Sequence, residues 1–350
     1  MSINIISTGS YATDEILDNE SLSKMVDTND KWILERTGIK TRHIAKYNTT
    51  EELASKACER ALKDVNIDKD EIGLLLFATI SSDTKVPSSS YTTAGHLGIE
   101  NAVCFDVNAA CSGFIYSMTI AKSMMKDMNY KYALVVGSER LSKFIDWTDR
   151  SSCILFGDGA GCALLENSEY KNELLKGKNN SKVYEKQDEY LENEVSNNLI
   201  KLEIKDAILG GIYDKKKYLT VDSKDKVSDE VSPFIEMNGR QIYKFATDIG
   251  VKVIDKLLKK NNIKNEDIAM IVPHQANKRI IQTLAEKSNL GIEKWFINLD
   301  KYGNTSSASV PIALDEALKN TYLKESRGKY LLSLAFGGGL SYGGILFKIK

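Results

Sequence analysis

Cys111 is the clearest candidate nucleophile in the sequence. It lies among small residues in NAACSGF (residues 108–114), at the predicted start of a helix. A thiol at a helix N-terminus experiences the positive end of the helix dipole, which favours the thiolate. Small neighbours let a substrate and backbone amides approach the sulfur. The alternative is a cysteine that packs only as a small apolar side chain.

Two polar residues in the second half of the chain extend this pattern. His274, one of only three histidines, directly follows the apolar segment IAMIV. Asn304 lies in YGNTSSAS, a predicted turn ahead of a helix with Pro311 in its first turn. A capped core histidine and an Asx turn or helix N-cap are the structural alternatives. Three consecutive glycines in AFGGGLSYGG predict exposed backbone N–H groups or the close approach of a ligand. Together these are the groups that acyl transfer requires.

Four segments in a fixed order resemble one enzyme family. DVNAACSGF, VPHQAN, GNTSSAS and FGGGLSYG are similar to motifs of the β-ketoacyl-acyl carrier protein (ACP) synthase III family of thiolase-fold condensing enzymes. NDKWILERTGIKTRHI and TDRSSCILFGDGAG match other characteristic segments of that family. The resemblance implies an α/β, thiolase-like fold with duplicated βαβαβαββ halves in five α-β-α-β-α layers.

Related condensing enzymes differ from this chain at identifiable positions. Elongating ketosynthases have a second histidine where this chain has Asn304, and classical thiolases need a second reactive cysteine, whereas none follows Cys162. Hydroxymethylglutaryl-CoA synthases have a glutamate where ATISS has Ile80. Chalcone-synthase-like polyketide starter synthases share the Cys-His-Asn set and remain the alternative. A non-condensing acyltransferase, which would use the same nucleophile, is also retained.

The resemblance implies a role for each catalytic residue. Cys111 would carry the acyl group from an acyl-CoA primer, and the N–H groups of Cys111 and Gly338 would hold the oxyanion. His274 and Asn304 would then stabilise the enolate formed when malonyl-ACP loses CO2. The product would be a 3-oxoacyl-ACP that initiates type II fatty acid synthesis, and no metal or organic cofactor would be needed.

The resemblance also implies three binding surfaces. Residues expected to bind CoA are Thr28, Trp32, Arg36, Arg150, Gly239 and Asn277. Basic residues expected to dock the acidic ACP are Lys244, Arg279 and Lys287. Residues expected to line the primer pocket are Val86, Leu141 and Phe156. Many family members have an aromatic residue at the Val86 position, which in the homodimer closes the partner's acyl pocket. The smaller Val86 therefore predicts tolerance of primers longer or more branched than acetyl.

Composition gives no support for nucleic-acid or membrane partners. The 350 residues are 42% hydrophobic and carry a formal net charge of −1, and no apolar run approaches the ~20 residues of a membrane span. The N-terminal segment lacks the pattern of a secretory signal. Five cysteines without a CxxC pair favour a reducing compartment over a metal or disulfide site. We expect a cytoplasmic protein, or a plastid-type organelle if a leader has been removed.

An internal repeat supports two halves. ALKDVNIDKDEIGLLLF from Ala61 aligns without gaps on LLKKNNIKNEDIAMIVP from Leu257, and KYALVVG from Lys131 resembles KYLLSLA from Lys329. CILFGDGAGCALL reads as a further strand. We predict a first half over residues 1–165 and a second over 211–350. A Lys/Glu/Asn-rich segment between them, residues 166–210, is expected to be a solvated insertion and linker.

Overall fold

The computed structural model describes residues 2–171, 200–223, 232–319 and 321–350. Its strands are β1 (Ile3–Tyr11), β2 (Ile16–Asp18), β3 (Thr41–His43), β4 (Ile72–Ala78), β5 (Val103–Val107), β6 (Tyr132–Glu139), β7 (Gly159–Asn167), β8 (Leu202–Gly211), β9 (Leu219–Thr220), β10 (Glu236–Met237), β11 (Ile268–Pro273), β12 (Tyr330–Gly337) and β13 (Ser341–Ile349). Its helices are α1 (Asn19–Ser23), α2 (Asp30–Thr37), α3 (Thr50–Lys63), α4 (Ser89–Leu97), α5 (Gly113–Asp127), α6 (Gly239–Lys260), α7 (Lys278–Ser288), α8 (Leu299–Tyr302), α9 (Ser309–Leu318) and α10 (Thr321–Glu325).

Strand order shows that the chain is built from two similar halves. Nine strands form one mixed sheet in the order β11-β12-β13-β8-β1-β7-β6-β4-β5. Read outward from the β1–β8 junction, β1-β7-β6-β4 in the first half corresponds to β8-β13-β12-β11 in the second. The aligned repeats fall on β4 with β11 and on β6 with β12. Where the first half has β5, the described part of the second half has a parallel bridge between Ile271 and Trp295. The predicted duplication is confirmed.

Helices cover both faces of each half and form five layers. Along β4, Leu74 and Leu76 face a central core, whereas Leu75 and Phe77 face an outer one. The central core contains α5 and α9, the outer core of the first half contains α3 and α4, and that of the second half contains α6 and α7. This alternation follows from the period of two along a strand that is buried on both faces. The predicted α-β-α-β-α fold is therefore confirmed.

One boundary of the predicted insertion is wrong. Leu202–Gly211 forms strand β8, which pairs with β13 along nearly its whole length and joins the two halves through β1. Leu202 and Ile204 are buried. Because charged residues surround this short alternating apolar pattern, the segment resembles the charged insertion more than a strand. Residues 172–199 of the predicted insertion lie outside the described residues. Among the residues that are described, we find no helix with the length and apolar character needed to cross a membrane.

Candidate active site

Cys111 lies at the start of a helix, as its sequence context predicts. It belongs to a single 3-10 turn, Ala110–Ser112, that leads directly into α5. Ala110 adopts φ +47°, a left-handed conformation that costs a non-glycine residue on the order of 1–3 kcal/mol. The strained backbone of the turn therefore lies immediately before Cys111, between the end of β5 and the helix.

The turn that carries Asn304 is a second copy of the turn that carries Cys111. The spacing that relates Ala61 to Leu257 also relates Asn108 to Asn304. In each copy the asparagine Oδ1 accepts a hydrogen bond from the N–H two residues later, from Ala110 at 3.5 Å and from Ser306 at 2.9 Å. Ser306 adopts φ +49° and precedes α9, just as Ala110 precedes α5. The two turns pack against each other across the junction between the halves.

Backbone and side-chain bonds orient the Asn304 amide. The Asn304 N–H donates to the Leu155 carbonyl at 2.8 Å, and its own carbonyl accepts from the Gly157 N–H at 3.1 Å. Because Oδ1 already accepts from Ser306, the Nδ2 group is the part of the side chain that remains available as a donor. Asn304 thus forms the Asx turn considered as its structural alternative and still presents an amide N–H₂.

His274 follows β11 and is held by bonds on two sides. Its N–H donates to the Leu334 carbonyl at 2.8 Å, and its ring Nδ1 lies 2.6 Å from the Ser309 hydroxyl at the start of α9. The Phe336 ring packs edge-on against the imidazole, with the ring centroids 5.6 Å apart. Burial lowers the pKa of the imidazole to about 3, so the ring is neutral at physiological pH. Nε2 is the nitrogen left for chemistry.

All three predicted catalytic residues line one narrow cavity. Cys111, His274 and Asn304 border a space of about 110 Å³, together with the predicted CoA-binding residues Gly239 and Asn277.

Burial raises the pKa of the Cys111 thiol to about 12, and a hydrogen bond with the neighbouring Ser306 hydroxyl lowers that pKa only in part. The resting thiol is therefore protonated and needs a base to release its nucleophilic form.

Cys111 also borders a second, much larger cavity. This space of about 1230 Å³ is bordered by Leu141 and Phe156, two of the residues expected to line a primer pocket, and by Gly338. Val86 does not border it: its side chain is 90% exposed. The structure thus brings Leu141 and Phe156 to the cavity that Cys111 borders and leaves Val86 on the surface of the chain.

Strand β12 ends in the glycine-rich segment, which lies directly against Cys111. A Cβ atom on Gly337 would lie 2.7 Å from the Cys111 backbone nitrogen, so no larger residue fits there. At Gly337 the close approach is between two segments of the protein's own backbone, and the close approach of a ligand to these glycines stays a prediction. Gly338 lies beside Ala110 and Leu219 at the start of a 3-10 turn. Gly339 adopts φ +68°, which favours glycine.

Trp32, Arg36 and Arg150 form one cluster at the surface. The guanidinium carbons of Arg36 and Arg150 lie 4.8 Å and 5.0 Å from the centre of the Trp32 ring. Arg150 also donates to the Asp27 carbonyl at 2.9 Å. The adjacent Thr28 hydroxyl is buried and has no hydrogen-bond partner among the described residues. The cluster combines cations with an aromatic face, and the unpartnered Thr28 hydroxyl lies buried next to it.

Asn277 connects this cluster to the narrow cavity. Its Nδ2 donates to the Arg36 carbonyl at 3.0 Å, while its Oδ1 accepts from the Arg279 N–H as the N-cap of α7. Both polar atoms of the Asn277 side chain are therefore already bonded. The residue borders the cavity, but part of its role is to fix α2 against α7.

The three predicted docking residues are exposed on α6 and α7, which pack together. Arg279 Nε donates to the Glu35 carbonyl at 3.0 Å, and Lys287 pairs with Asp248 at 3.0 Å. Lys244 lies on the same helix as Asp248. The positive charge of Lys287 is thus partly compensated within the protein, whereas that of Arg279 is not neutralised by its bond to a carbonyl.

Sequence reasoning missed two residues that support the site. Ser309 bonds to the His274 imidazole, and Glu139 is a fully buried carboxyl group at the end of β6. The run of small hydroxyl residues in GNTSSAS was a signal for Ser309. For Glu139 the signal was a charged residue that ends the apolar strand KYALVVGSE.

Comparison with known proteins places these features in one family. The model of 3-oxoacyl-[acyl-carrier-protein] synthase III matches residues 105–182, and the model of its C-terminal part matches residues 258–349. The chain is 41% identical to the β-ketoacyl-[acyl-carrier-protein] synthase III of Clostridium acetobutylicum, with 99% of this chain and 98% of the relative covered.

Solved structures are similar to this chain over nearly its whole length. The crystal structure of 3-oxoacyl-[acyl-carrier-protein] synthase III from Aquifex aeolicus superimposes with a TM-score of 0.85 at 38% identity, covering 99% of each chain. The priming β-ketosynthase of the R1128 polyketide pathway superimposes with a TM-score of 0.83 at 29% identity, covering 99% of this chain and 96% of the other.

Proposed function

Because the chain belongs to the 3-oxoacyl-[acyl-carrier-protein] synthase III family, we propose that it condenses an acyl-CoA primer with malonyl-ACP. The products are a 3-oxoacyl-ACP, CoA and CO2. The observation that carries this proposal is the meeting of Cys111, His274 and Asn304 on one narrow cavity, with Cys111 also bordering a larger cavity. The larger cavity suits an acyl group held on the sulfur, and the narrow cavity suits the arm that delivers each thioester to it.

In the first half-reaction, Cys111 attacks the thioester carbon of the primer. His274 is neutral and takes the thiol proton at Nε2, while its Nδ1–H donates to the Ser309 hydroxyl. The N–H groups of Cys111 and Gly338, beside the N-terminus of α5, hold the oxyanion. The C–S bond to CoA then breaks, and the proton on His274 passes to the CoA thiolate.

In the second half-reaction, malonyl-ACP loses CO2 and its enolate attacks the acyl-enzyme. Asn304 Nδ2–H and His274 Nε2–H donate to the thioester oxygen, on which the enolate charge develops. His274 now needs its proton on Nε2, and the Ser309 hydroxyl supports this tautomer by donating to Nδ1. One hydroxyl can thus support both tautomers, because it donates as well as accepts. The carbanion forms the new C–C bond, and the Cys111 thiolate leaves and takes up one proton from solvent, which restores the resting thiol.

The surface cluster of Trp32, Arg36 and Arg150 is suited to the nucleotide end of CoA. An adenine ring can stack in an assembly of aromatic and guanidinium planes, and the cations suit the phosphates, which we expect to lie near Thr28. The contact between Arg36 and Asn277 places this cluster next to the cavity that leads to Cys111, where Gly239 leaves room for a pantetheine arm.

The partner in the second step is an acidic ACP. Lys244, Arg279 and Lys287 offer it a basic surface on α6 and α7. We place the enzyme in the cytoplasm as a homodimer in which the exposed Val86 reaches the primer pocket of the partner subunit. Thiol, imidazole, amide and backbone donors supply the required chemistry, so we propose no metal or organic cofactor.

Two half-reaction assays test the proposal. Labelled acyl-CoA should acylate Cys111, located by peptide mass mapping, and malonyl-ACP should then release CO2 and yield 3-oxoacyl-ACP. Asn304→Ala should slow condensation by roughly 10²–10³, the scale of one lost oxyanion donor, and leave acylation nearly intact. A label on Cys58, Cys104, Cys153 or Cys162 would contradict the assignment.

The assay also separates the alternative activities. Acyl transfer without CO2 release would show a non-condensing acyltransferase. Because the chain is structurally similar to a priming polyketide synthase, the range of acyl-CoA primers that it accepts is the property to measure. A panel of acetyl-, isobutyryl- and hexanoyl-CoA with malonyl-ACP distinguishes a general initiating enzyme from one restricted to a specialised starter unit.

A further inference from the structure

Glu139 is a fully buried carboxyl group at the junction of the two halves. Its Oε2 accepts from the Ser81 hydroxyl at 2.7 Å, the Thr79 hydroxyl at 3.1 Å and the Ile80 N–H at 3.1 Å. Its Oε1 lies 2.8 Å from the Ser307 hydroxyl. Glu139 therefore connects a first-half loop to the second-half turn that follows Asn304.

Among the described residues, the partners of Glu139 are hydroxyls and a backbone amide, without a compensating cation. Arg140 and Lys143, which follow it in sequence, pair instead with Asp83 at 3.3 Å and 3.1 Å. Cys111 is a further titratable group close enough to interact electrostatically with Glu139. A charged carboxylate here would be buried, would lack a salt bridge and would oppose the thiolate.

The hydrogen-bond pattern at Ser307 distinguishes the two protonation states. The Ser307 hydroxyl lies 2.8 Å from Glu139 Oε1 and 2.9 Å from the Ala78 carbonyl oxygen, but it has a single hydrogen. If Glu139 is ionised, both neighbours are acceptors and only one contact can be a hydrogen bond. If Oε1 carries a proton, it donates to Ser307, and Ser307 donates to Ala78. Only the protonated form satisfies both contacts.

We propose that Glu139 is a positioning residue that acts as a neutral carboxylic acid, anchoring the Ser307 turn beside Cys111 without adding a negative charge near the thiolate. Burial also raises the pKa of Glu139, which agrees with the hydrogen-bond pattern. Through Ser307, Glu139 fixes the turn that begins at Asn304, so it acts on the enolate-stabilising group and does not touch substrate. The catalytic consequence rests on the proposed function, whereas the protonation state does not.

Infrared difference spectroscopy tests the protonation state directly. At pH 7 the spectrum of the wild type minus Glu139→Gln should contain the C=O band of a protonated carboxyl group and no additional carboxylate bands. Carboxylate bands in that difference would overturn the proposal. This readout is independent of activity, so a protein that fails to condense malonyl-ACP would refute the proposed function and leave this result standing.

Thiol reactivity and half-reaction rates test the positioning role. Glu139→Gln replaces one neutral group by another and should leave the pH midpoint of Cys111 alkylation unchanged. A fall in that midpoint would show that the wild-type residue is charged, because removal of a negative charge lowers the thiol pKa. Glu139→Ala should slow condensation by about 10²-fold, the scale of a 1 Å displacement of a catalytic group, with a smaller effect on acylation.

Conservative and control variants separate positioning from folding. Glu139→Gln should restore most of the condensation rate lost in Glu139→Ala, and Ser307→Ala should reproduce part of the loss. Asp315→Asn is the matched control, because Asp315 is also buried and bonds two hydroxyls, those of Thr8 and Ser10, but pairs with Lys319. If Glu139→Ala and Asp315→Asn reduce both half-reactions equally, Glu139 is merely structural and the positioning role is wrong.

Discussion

The bond between Ser309 and His274 gives the most direct test of how the imidazole works. Both residues are 2% exposed, and the hydroxyl lies 2.6 Å from Nδ1. Ser309→Ala leaves this nitrogen buried without its partner, which costs about 1–3 kcal/mol. If the bond strengthens while His274 accepts or donates a proton, that cost appears in the barrier as a rate loss of roughly 5- to 150-fold.

Ser309→Ala should lower the rates of both half-reactions. Ser309 supports one tautomer of His274 during acylation and the other during decarboxylation, so Ser309→Ala should slow both. This differs from Asn304→Ala, which should slow mainly the second. Acylation is measured by intact-protein mass spectrometry after rapid mixing with acyl-CoA, and decarboxylation by CO2 release from malonyl-ACP.

Ser333→Ala is the control for deletion of a buried hydroxyl. Ser333 lies on β12, is buried, and its hydroxyl has no hydrogen-bond partner among the described residues. It should therefore lose little stability and no activity. The reasoning is refuted if Ser309→Ala lowers the unfolding midpoint but keeps both half-reaction rates at wild-type values, because the bond would then be equally strong in the ground and transition states.

Three further perturbations address the carrier surface, the primer and pH. Arg279→Glu should raise KM for malonyl-ACP and weaken the salt dependence of that KM, while acylation by acyl-CoA is spared. Lys126→Glu, a charge reversal at an exposed position on α5, is the control. An unchanged KM in Arg279→Glu would show that this surface does not bind ACP. Val86→Phe should reduce kcat/KM for hexanoyl-CoA relative to acetyl-CoA, since each methylene is worth about 1–3 kcal/mol in an apolar pocket; equal ratios in both proteins would show that Val86 does not set chain length. Because burial raises the pKa of Glu139 in the folded state, its contribution to stability is greatest below the unfolded pKa of about 4.3 and falls as pH rises towards the folded value. The free energy of unfolding of Glu139→Gln relative to wild type should therefore increase from pH 5 to pH 8 in chemical denaturation, and a pH-independent difference would count against a raised pKa.

The sequence predicted the duplicated architecture because the repeats preserve both strand periodicity and order. Leu74 to Phe77 and their second-half counterparts are apolar at every position, as expected for strands covered on both faces. The nucleophile turn was also predictable, because small residues around Cys111 indicate close packing at a helix start. Each of these signals is local in the sequence.

Features that depend on contacts between distant segments were not predictable in the same way. The segment from Cys153 to Gly157 looked like the beginning of a strand, but it forms a turn, and only Phe156 pairs with Asn304. Glu139 and Ser307 are far apart in sequence, and nothing in either neighbourhood indicates that they meet. A buried carboxyl group is a poor prediction from composition, since burial is unfavourable until its partners are known.

The two site turns have a consequence for the ancestry of the enzyme. An ancestor with a single half would have built this pocket from two identical subunits, each presenting the same residue at the positions that Cys111 and Ser307 now occupy. Symmetry in such a pair forces both copies to carry the same chemistry. Once the copies were fused into one chain, one could keep the thiol while the other turned the equivalent position into an anchor. His274 aligns with Ala78 in the first half, so the imidazole is also present in one half and absent from the equivalent position of the other. Gene fusion thus made possible a division of labour that identical subunits could not have evolved.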